Sequence, residues 1–341
     1  MDKFLEKCSQ QEKIIIITAF AARVRTGHYG KGATVRASSV AQALAAISKT
    51  FELAGKQSPV YQTEKVYKTA VARQMEGYKR CDPPSTPQLA VPIMVPEECQ
   101  RQAYTTKNPV LKAVGDLSII AFYYLLRVGE YTKPKVKVIN GKTKRTTRTQ
   151  QFKVENIGFF KDNKILPRAS PLHILLSADQ CTLKITNQKN GRMGQTIHHF
   201  ATKAKHCPIK AIAHRVHHIL SNGGSHANCI CDVYLEHTQT WQQVTPKDMM
   251  TGIRQAVKHL KLSCTGIDPD LIGVHSLRAG GAMALKLQGE EDTTIMKIGR
   301  WTSLTFLQYI HNQIAHLSKN MSIKMSKHLQ FQNIAAIEKA G

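Results

Sequence analysis

The chain has 341 residues, 42% of them apolar and 21% charged, which is enough apolar material for a sizeable core and excludes wholesale disorder. Lys and Arg total 48 against 23 Asp and Glu, a formal net charge of +25. A chain this basic repels itself unless it meets a polyanion, and nucleic acid is the partner such an excess predicts. An anionic membrane surface is the rival, but it calls for an amphipathic basic helix or a lipid anchor, and neither is found. No stretch approaches the ~20 apolar residues of a membrane span.

The apolar run Ile14 to Ala22 is broken by Thr18, follows Lys13 and lacks a small-residue cleavage site. It predicts a core helix rather than a signal peptide. The glycines at 27, 30 and 32 lack the upstream glycine of a P-loop and read as a loop. Val40, Leu44, Ile47 and Phe51 recur at helical spacing, with Ser38 or Ser39 as a cap and Gly55 just beyond. Val66, Ala70, Val71, Met75 and Tyr78 repeat the theme less regularly. Residues 1–82 are thus expected to form a small helical domain, with Arg23, Arg25, Lys31 and Arg36 as its cations toward DNA. Pro83, Pro84, Pro87, Pro92 and Pro96 then crowd together without a helical period. They predict an extended linker over 83–109.

A mixed α/β unit is expected next, over 110–318. Residues 110–131 read as one helix, apolar nearly all round from Leu117 to Leu126 and therefore buried. Arg127 falls at its C-terminal end. A partly buried guanidinium is costly without an anion. Glu130, three residues on, is one such anion and a phosphate is the other. Lys133, Lys135, Lys137, Lys142, Lys144, Arg145 and Arg148 follow without an acidic residue between them. They alternate around Val136 and Val138 and turn at Asn140-Gly141, the pattern of a basic hairpin. Such a hairpin fits a solvated surface or a nuclear-localisation patch, but its place directly after Arg127 favours a track along the DNA backbone. A second hairpin is predicted over 182–200, turning at Lys189-Asn190-Gly191.

From about residue 203 the pattern is helical again, and Thr245-Pro246 with Asp248 opens one helix by a capping arrangement. Cysteines and histidines gather over 206–237, but Cys229-x-Cys231 is too tight for a zinc knuckle and His217-His218 sit inside a helical pattern. No metal is assigned. The eight cysteines are scattered, which predicts free thiols and a reducing compartment.

Residues 273–281 read Gly-Val-His-Ser-Leu-Arg-Ala-Gly-Gly. On a helix His275 and Arg278 project from one face, about 60° apart. Alone, that pair more often marks a solvated face. Gly280 and Gly281 weaken a helix by about 1 kcal/mol each, which makes sense where another backbone comes close. Beyond Trp301, Thr302 or Ser303 would cap a helix with the stripe Leu307, Ile310, Ile314 and Leu317. Tyr309 lies about a third of a turn off that stripe, so its hydroxyl is placed for a cleft or for the rim.

Taken together and in this order, these segments resemble the tyrosine recombinase/integrase family. The resemblance is carried by Leu-Leu-Arg-Val-Gly-Glu (125–130), the hairpin lysine, His-Ser-Leu-Arg-Ala-Gly-Gly-Ala (275–282), Gly-Arg-Trp (299–301) and Phe-Leu-Gln-Tyr-Ile (306–310). It covers both domains, and the Gly-Arg-Trp wording looks most like the eukaryotic mobile-element branch, of Crypton or DIRS type. Trp301 stands where many members carry His, and the step from it to Tyr309 is one residue shorter than in many bacterial members.

The resemblance implies a mainly α fold with small β hairpins: an all-helical, SAM-like core-binding domain before a mixed α/β catalytic domain. It implies strand cleavage and rejoining through a 3′-phosphotyrosyl link, with no cofactor, metal or ATP. Arg127 and Arg278 would clamp the scissile phosphate, Glu130 would hold Arg127, and Tyr309 would be the nucleophile. His275 would assist proton transfer, the Trp301 indole would donate to the phosphate, and Lys189 would be the general acid, with Lys184 and Lys203 as competitors. The implied partner is double-stranded DNA, bound by a homo-tetramer on synapsed sites, in the nucleus and away from membranes. Residues 319–341 would be a helix that docks on a neighbouring subunit or packs on its own domain. A DNA-binding protein that keeps the fold without catalysis, and a type IB topoisomerase-like enzyme, are the alternatives.

Overall fold

A computed structural model describes residues 4–30, 32–63, 66–84, 88–134, 136–139, 142–145, 149–186, 194–202, 204–303 and 307. Lys31, Lys135, Arg148, Lys189, Lys203, Tyr309 and the segment 319–341 lie outside the described residues. The chain divides into two compact units, Met1–Thr86 and Pro87–Gly341.

In the first unit, Ser9 and Glu12 start α1 (Gln10–Arg25) with a capping box. The Glu12 N–H donates to the Ser9 Oγ at 3.3 Å and the Ser9 N–H to the Glu12 carboxylate at 2.7 Å. α2 (Ala37–Leu53) takes no cap from Ser38 or Ser39, because it begins ahead of both. Its first N–H, on Ala37, donates instead to the Asp82 carboxylate at 2.8 Å. A short antiparallel ribbon, β1 (Tyr61–Thr63) with β2 (Val66–Tyr67), precedes α3 (Thr69–Cys81), so the unit is helical but for this insertion. Ile17, Val40, Leu44, Val71 and Met75 form its core. The isoleucine run of α1 contributes less than expected, since Ile15 stays 65% exposed.

The first helix of the second unit is α4 (Met94–Tyr104), which stands inside the expected linker. Pro96 stands in the first turn of this helix, where a missing N–H costs no hydrogen bond. Leu89 and Val91 ahead of it are buried, and their N–H groups donate to the Leu271 and Ser276 carbonyls at 3.1 and 3.3 Å. The proline count therefore pointed away from a segment that is integral to the core.

α5 (Pro109–Tyr123) is the central helix of this unit, packed against α4, α8 (Pro208–Ser221), α9 (Pro246–His259) and α10 (Ser276–Leu287). It buries Val114, Leu117, Ile119 and Ile120, each worth roughly 1.5–3 kcal/mol of apolar transfer. It does not run on to residue 131. It stops at Tyr123, and a separate turn of helix, α6 (Val128–Tyr131), follows.

The β structure is small and antiparallel. β3 (Val136–Ile139) pairs with β4 (Lys142–Arg145) in the register Val136↔Arg145, the basic hairpin expected from the sequence. A four-stranded sheet has the order β6-β5-β7-β8, built from β5 (Ile157–Lys161), β6 (Lys164–Leu166), β7 (Gln180–Ile185) and β8 (Gln195–Phe200). β7 pairs with β8 up to Ile185↔Gln195, the second hairpin expected from the sequence. α7 (Leu172–Leu176) lies between β6 and β7. One hairpin had no forecast: β9 (Asp232–Leu235) with β10 (Thr240–Gln243), inside the stretch read as helical. α9 begins as expected, with Thr245 Oγ1 2.7 Å from the Asp248 carboxylate. α11 (Asp292–Gly299) closes the described part. Among the described residues no helix is long and apolar enough to cross a membrane, and all eight cysteines are free thiols.

Candidate active site

Two helix ends of the second unit close in the same unusual way and meet. α5 ends with Leu125 in the left-handed region (φ 46°), and the Leu126 N–H reaches back to the Ala121 carbonyl at 3.0 Å. α11 ends with Arg300 in that region (φ 58°), and the Trp301 N–H reaches back to the Met296 carbonyl at 2.9 Å. Glycine normally holds this position, so each of these side chains carries a backbone cost of about 1–2 kcal/mol that its contacts must offset. The reward is convergence. The Leu125 carbonyl accepts from Arg278 Nη1 and from Arg300 Nη2, the latter at 2.9 Å.

Arg127 stands at the start of α6 rather than at the end of a long helix. The Glu130 carboxylate accepts from its backbone N–H at 2.8 Å and from its guanidinium at 3.3 Å. The oxygen that accepts the backbone N–H, Oε2, also pairs with Arg300 Nη2 at 3.0 Å, while Oε1 takes the Arg127 guanidinium. Glu130 and Arg300 are both only 1% exposed at the side chain, whereas Arg127 keeps 19%. Burial pulls the Arg300 guanidinium below its ordinary pKa, Glu130 pulls it back up and Arg127 pushes it down again. Among the described residues Nε and Nη1 of Arg300 have no acceptor.

Arg278 lies in the first turn of α10 and is 2% exposed. Its two terminal nitrogens donate to the Leu125 and Gly299 carbonyls, and its guanidinium lies 4.2 Å from the Trp301 ring centroid. That stacking is a cation–π contact in a site largely closed to water. Gly299 makes it sterically feasible: a Cβ there would sit 1.6 Å from the Trp301 ring. Gly280 and Gly281 fulfil the expectation of close approach, since a Cβ would come within 2.0 Å of the Val91 carbonyl and 2.3 Å of the Phe122 carbonyl, respectively. His275 immediately precedes α10, and the Tyr131 hydroxyl donates to the Val274 carbonyl at 3.4 Å, tying α6 to this corner.

The structure thus gathers Arg127, Glu130, Arg278 and Trp301, with His275 on the turn that starts the Arg278 helix. Lys189 and Tyr309 lie outside the described residues. Of the lysines weighed against Lys189, Lys184 is exposed on β7, between the buried Leu183 and Ile185, and Lys203 is outside the described residues. Arg300 was quoted in the Gly-Arg-Trp motif without a role. Its partners are 170 and 175 positions away, so no local spacing signals them.

The basic residues expected to face DNA divide. Arg23, Arg36 and Lys133 are exposed, and Lys137, Lys142, Lys144 and Arg145 stand in the paired strands β3 and β4. Arg25 is already engaged: it pairs with Asp82, donates to the Val35 carbonyl at 2.6 Å and lies over the Tyr78 ring. A cavity of about 580 Å³ bordered by Tyr104, Asp116, His214 and Arg215 shares no residue with the arginine cluster. There the Asp116 carboxyl, buried and held by Gln100 at 2.8 Å, is pushed up to about 7 by its removal from water.

No protein-family model matches the sequence, and no curated protein does. Solved structures do match. The XerH site-specific recombinase, bound to a palindromic difH substrate in a post-cleavage complex, aligns over 92% of this chain and 72% of its own, at 12% identity and a TM-score of 0.51. The Tn1549 transposon integrase in complex with circular intermediate DNA aligns over 92% and 86%, at 13% identity and a TM-score of 0.45. The XerA recombinase aligns over 96% and 89%, at 14% identity and a TM-score of 0.40. The mainly helical architecture with its small antiparallel sheets is the tyrosine-recombinase fold.

Proposed function

We propose that the protein is a site-specific DNA recombinase that cleaves and rejoins strands through a 3′-phosphotyrosyl intermediate. The observation that carries the reading is the buried convergence of Arg127, Arg278 and Arg300 on one carboxylate and one carbonyl. Two guanidinium groups on a single carboxylate, with a third joined to them through the Leu125 carbonyl, leave an excess of positive charge where water is scarce. Such a place stabilises the extra negative charge of a pentacoordinate phosphorane more than that of the phosphodiester before it. The net charge of +25 supports DNA as the carrier of that phosphate.

In this reading the Tyr309 phenolate oxygen attacks the scissile phosphorus as the bond to the 5′ oxygen breaks. The departing oxygen takes a proton from Lys189 and leaves as a 5′-hydroxyl. Arg127 and Arg278 hold the nonbridging oxygens, the Trp301 indole N–H donates to the phosphate, and His275 assists the proton transfers. Attack of a second strand's 5′-hydroxyl on the phosphotyrosine restores a phosphodiester and frees Tyr309. The number of phosphate ester bonds is conserved, so no ATP is required, and in this reading the arginines supply the positive charge that a metal ion supplies elsewhere. The basic strands β3 and β4 and the exposed Arg23, Arg36 and Lys133 would contact the DNA backbone. Assembly as a tetramer, a mobile-element origin and nuclear residence belong to the same proposal.

One observation favours a second reading, a DNA-binding protein that keeps the fold without catalysis: two nitrogens of Arg278 are spent on backbone carbonyls. Metal-free incubation with a library of nicked duplexes, then denaturing gels and peptide mapping, separates the readings. The recombinase reading expects a covalent adduct on Tyr309 that disappears in Tyr309→Phe. A salt-dependent gel shift with no adduct on any duplex overturns it and leaves the binding protein. Relaxation of a supercoiled plasmid that carries no selected site would point to topoisomerase-like chemistry.

A further inference from the structure

We propose that Arg300 is a positioning residue for strand cleavage: by gripping Glu130 at Oε2, the oxygen that the Arg127 guanidinium leaves to others, it holds Oε1 so as to aim that guanidinium at the phosphate. The inference rests on the recombinase reading and assigns a new residue to that site. Glu130 accepts three donors from two arginines, which fixes its carboxylate at both oxygens. Without Arg300, Oε2 would keep only the Arg127 backbone N–H and the carboxylate would be free to turn. Arg127, exposed on its outer side, would then lose the anchor that selects its rotamer. Arg300 itself is fixed from elsewhere, by the Leu125 carbonyl and by its own left-handed backbone at the end of α11.

The unsatisfied donors sharpen the assignment. A buried guanidinium with Nε and Nη1 unpaired among the described residues is an expensive way to fill space, and an apolar side chain of similar size would serve packing alone. What only arginine supplies here is a positive charge whose single Nη2 bridges the Glu130 carboxylate and the Leu125 carbonyl. Trp301, next in the chain, stacks on Arg278, so one turn sets both arginines that are expected to hold the phosphate.

The test compares single-turnover cleavage by the full chain and its Arg300→Met and Arg300→Lys variants on the duplex recovered from adduct trapping. One substrate carries a normal scissile phosphate and the other a neutral methylphosphonate, which lacks the charge that Arg127 would neutralise. Arg300→Met is expected to cleave the phosphodiester about 10- to 100-fold more slowly, with DNA affinity nearly unchanged. Its defect should largely vanish on the methylphosphonate, and adding Arg127→Ala should slow it little beyond Arg127→Ala alone. Arg300→Lys, which keeps the charge beside Glu130, should lose less. Equal losses on both substrates, in either variant, or additive losses in the double variant would overturn the proposal in favour of a merely structural arginine.

A second readout does not depend on cleavage. Guanidinium ¹⁵N NMR of Arg127 should show restricted rotation in the wild type and free rotation in Arg300→Met or, if that variant does not fold, an intermediate rate in Arg300→Lys. Absence of any adduct from the wild type would sink the recombinase reading. The coupling of Arg300 to Arg127 would then be upheld by that change in rotation, or overturned by identical rotation in wild type and variants.

Discussion

Each unit of this protein is organised around an arginine–carboxylate contact, and the two contacts are built to different ends. In the first unit Asp82 gives one oxygen to Arg25 and the other to the N-terminal N–H of α2. Arg25 in turn spends itself on the Val35 carbonyl and the Tyr78 ring. That arrangement joins three helices and leaves little over. In the second unit one carboxylate serves Arg127 and Arg300, Arg278 shares the carbonyl acceptor of Arg300, and among the described residues two buried donors of Arg300 go unmet. Charge that a fold needs is matched group for group; charge held in surplus at a buried corner is what the proposed phosphate site calls for.

The contrast is broken most severely at Glu130. Glu130→Ala strips the counter-charge from Arg127 and from a fully buried Arg300, and should destabilise the second unit by about 3–5 kcal/mol while abolishing adduct formation. Urea melts read alongside the trapping assay check it. Stability within 1 kcal/mol of wild type would mean that the carboxylate is not the electrostatic keystone inferred above.

Next comes Gly299→Ala. The added methyl must displace the Trp301 ring, so the indole should leave Arg278 and gain solvent exposure. In a Trp241→Phe background this appears as a red-shifted, more quenchable emission, with adduct formation reduced about 10-fold or more. An unchanged spectrum would show that the stacked pair is not held in the described geometry.

A third carboxylate places the comparison on a pH axis. Asp116 is buried beside Arg215, yet Nε and Nη2 of Arg215 go to the Ile230 and Asp232 carbonyls, and among the described residues Asp116 accepts from Gln100 and Tyr104. Its folded pKa, about 7, lies above the unfolded value near 3.8. The folded state therefore binds the proton more tightly, and the stability this contributes is full below pH ~4 and lost as pH rises through 7. Asp116→Asn should match wild type near pH 4 and melt at progressively higher temperature than wild type toward pH 8. Melting curves that run parallel at every pH would contradict this assignment.

The smallest effect belongs to the first unit. Asp82→Asn should lower the melting temperature modestly and leave the cleavage rate of bound DNA unchanged, because that carboxylate works for the fold alone. A rate loss without a stability loss would erase the distinction between the two units.

What was legible beforehand follows the range of the interactions. The stripes of α2 and α3, the cap of α9 and both basic-side hairpins were readable, because spacing, capping residues and an Asn-Gly turn act within a few positions. The break after Tyr123 was not, since Tyr124, Leu125 and Leu126 carry no glycine or proline. Their left-handed turn is supported by arginines more than 150 positions away. Prolines misled in the other direction, because Pro96 starts a helix where it was read as part of a linker. In the site, the order of the family-like motifs points to Arg127, Glu130, Arg278 and Trp301, which the fold brings to one corner. Arg300 stayed silent because only folding brings it to Glu130.

The acceptor shared by Arg278 and Arg300 is a main-chain oxygen. No single substitution at position 125 can delete it, whereas any side-chain acceptor would be one codon from loss. Mutation can reach that hub only by altering the backbone angle, so a β-branched residue or proline there should be tolerated far less than alanine or asparagine. A deep mutational scan of position 125 would consequently sort substitutions by their ease in the left-handed region before it sorted them by hydrophobicity. A corner built to manage charge would have written its constraint into chain geometry, where inheritance is hardest to disturb.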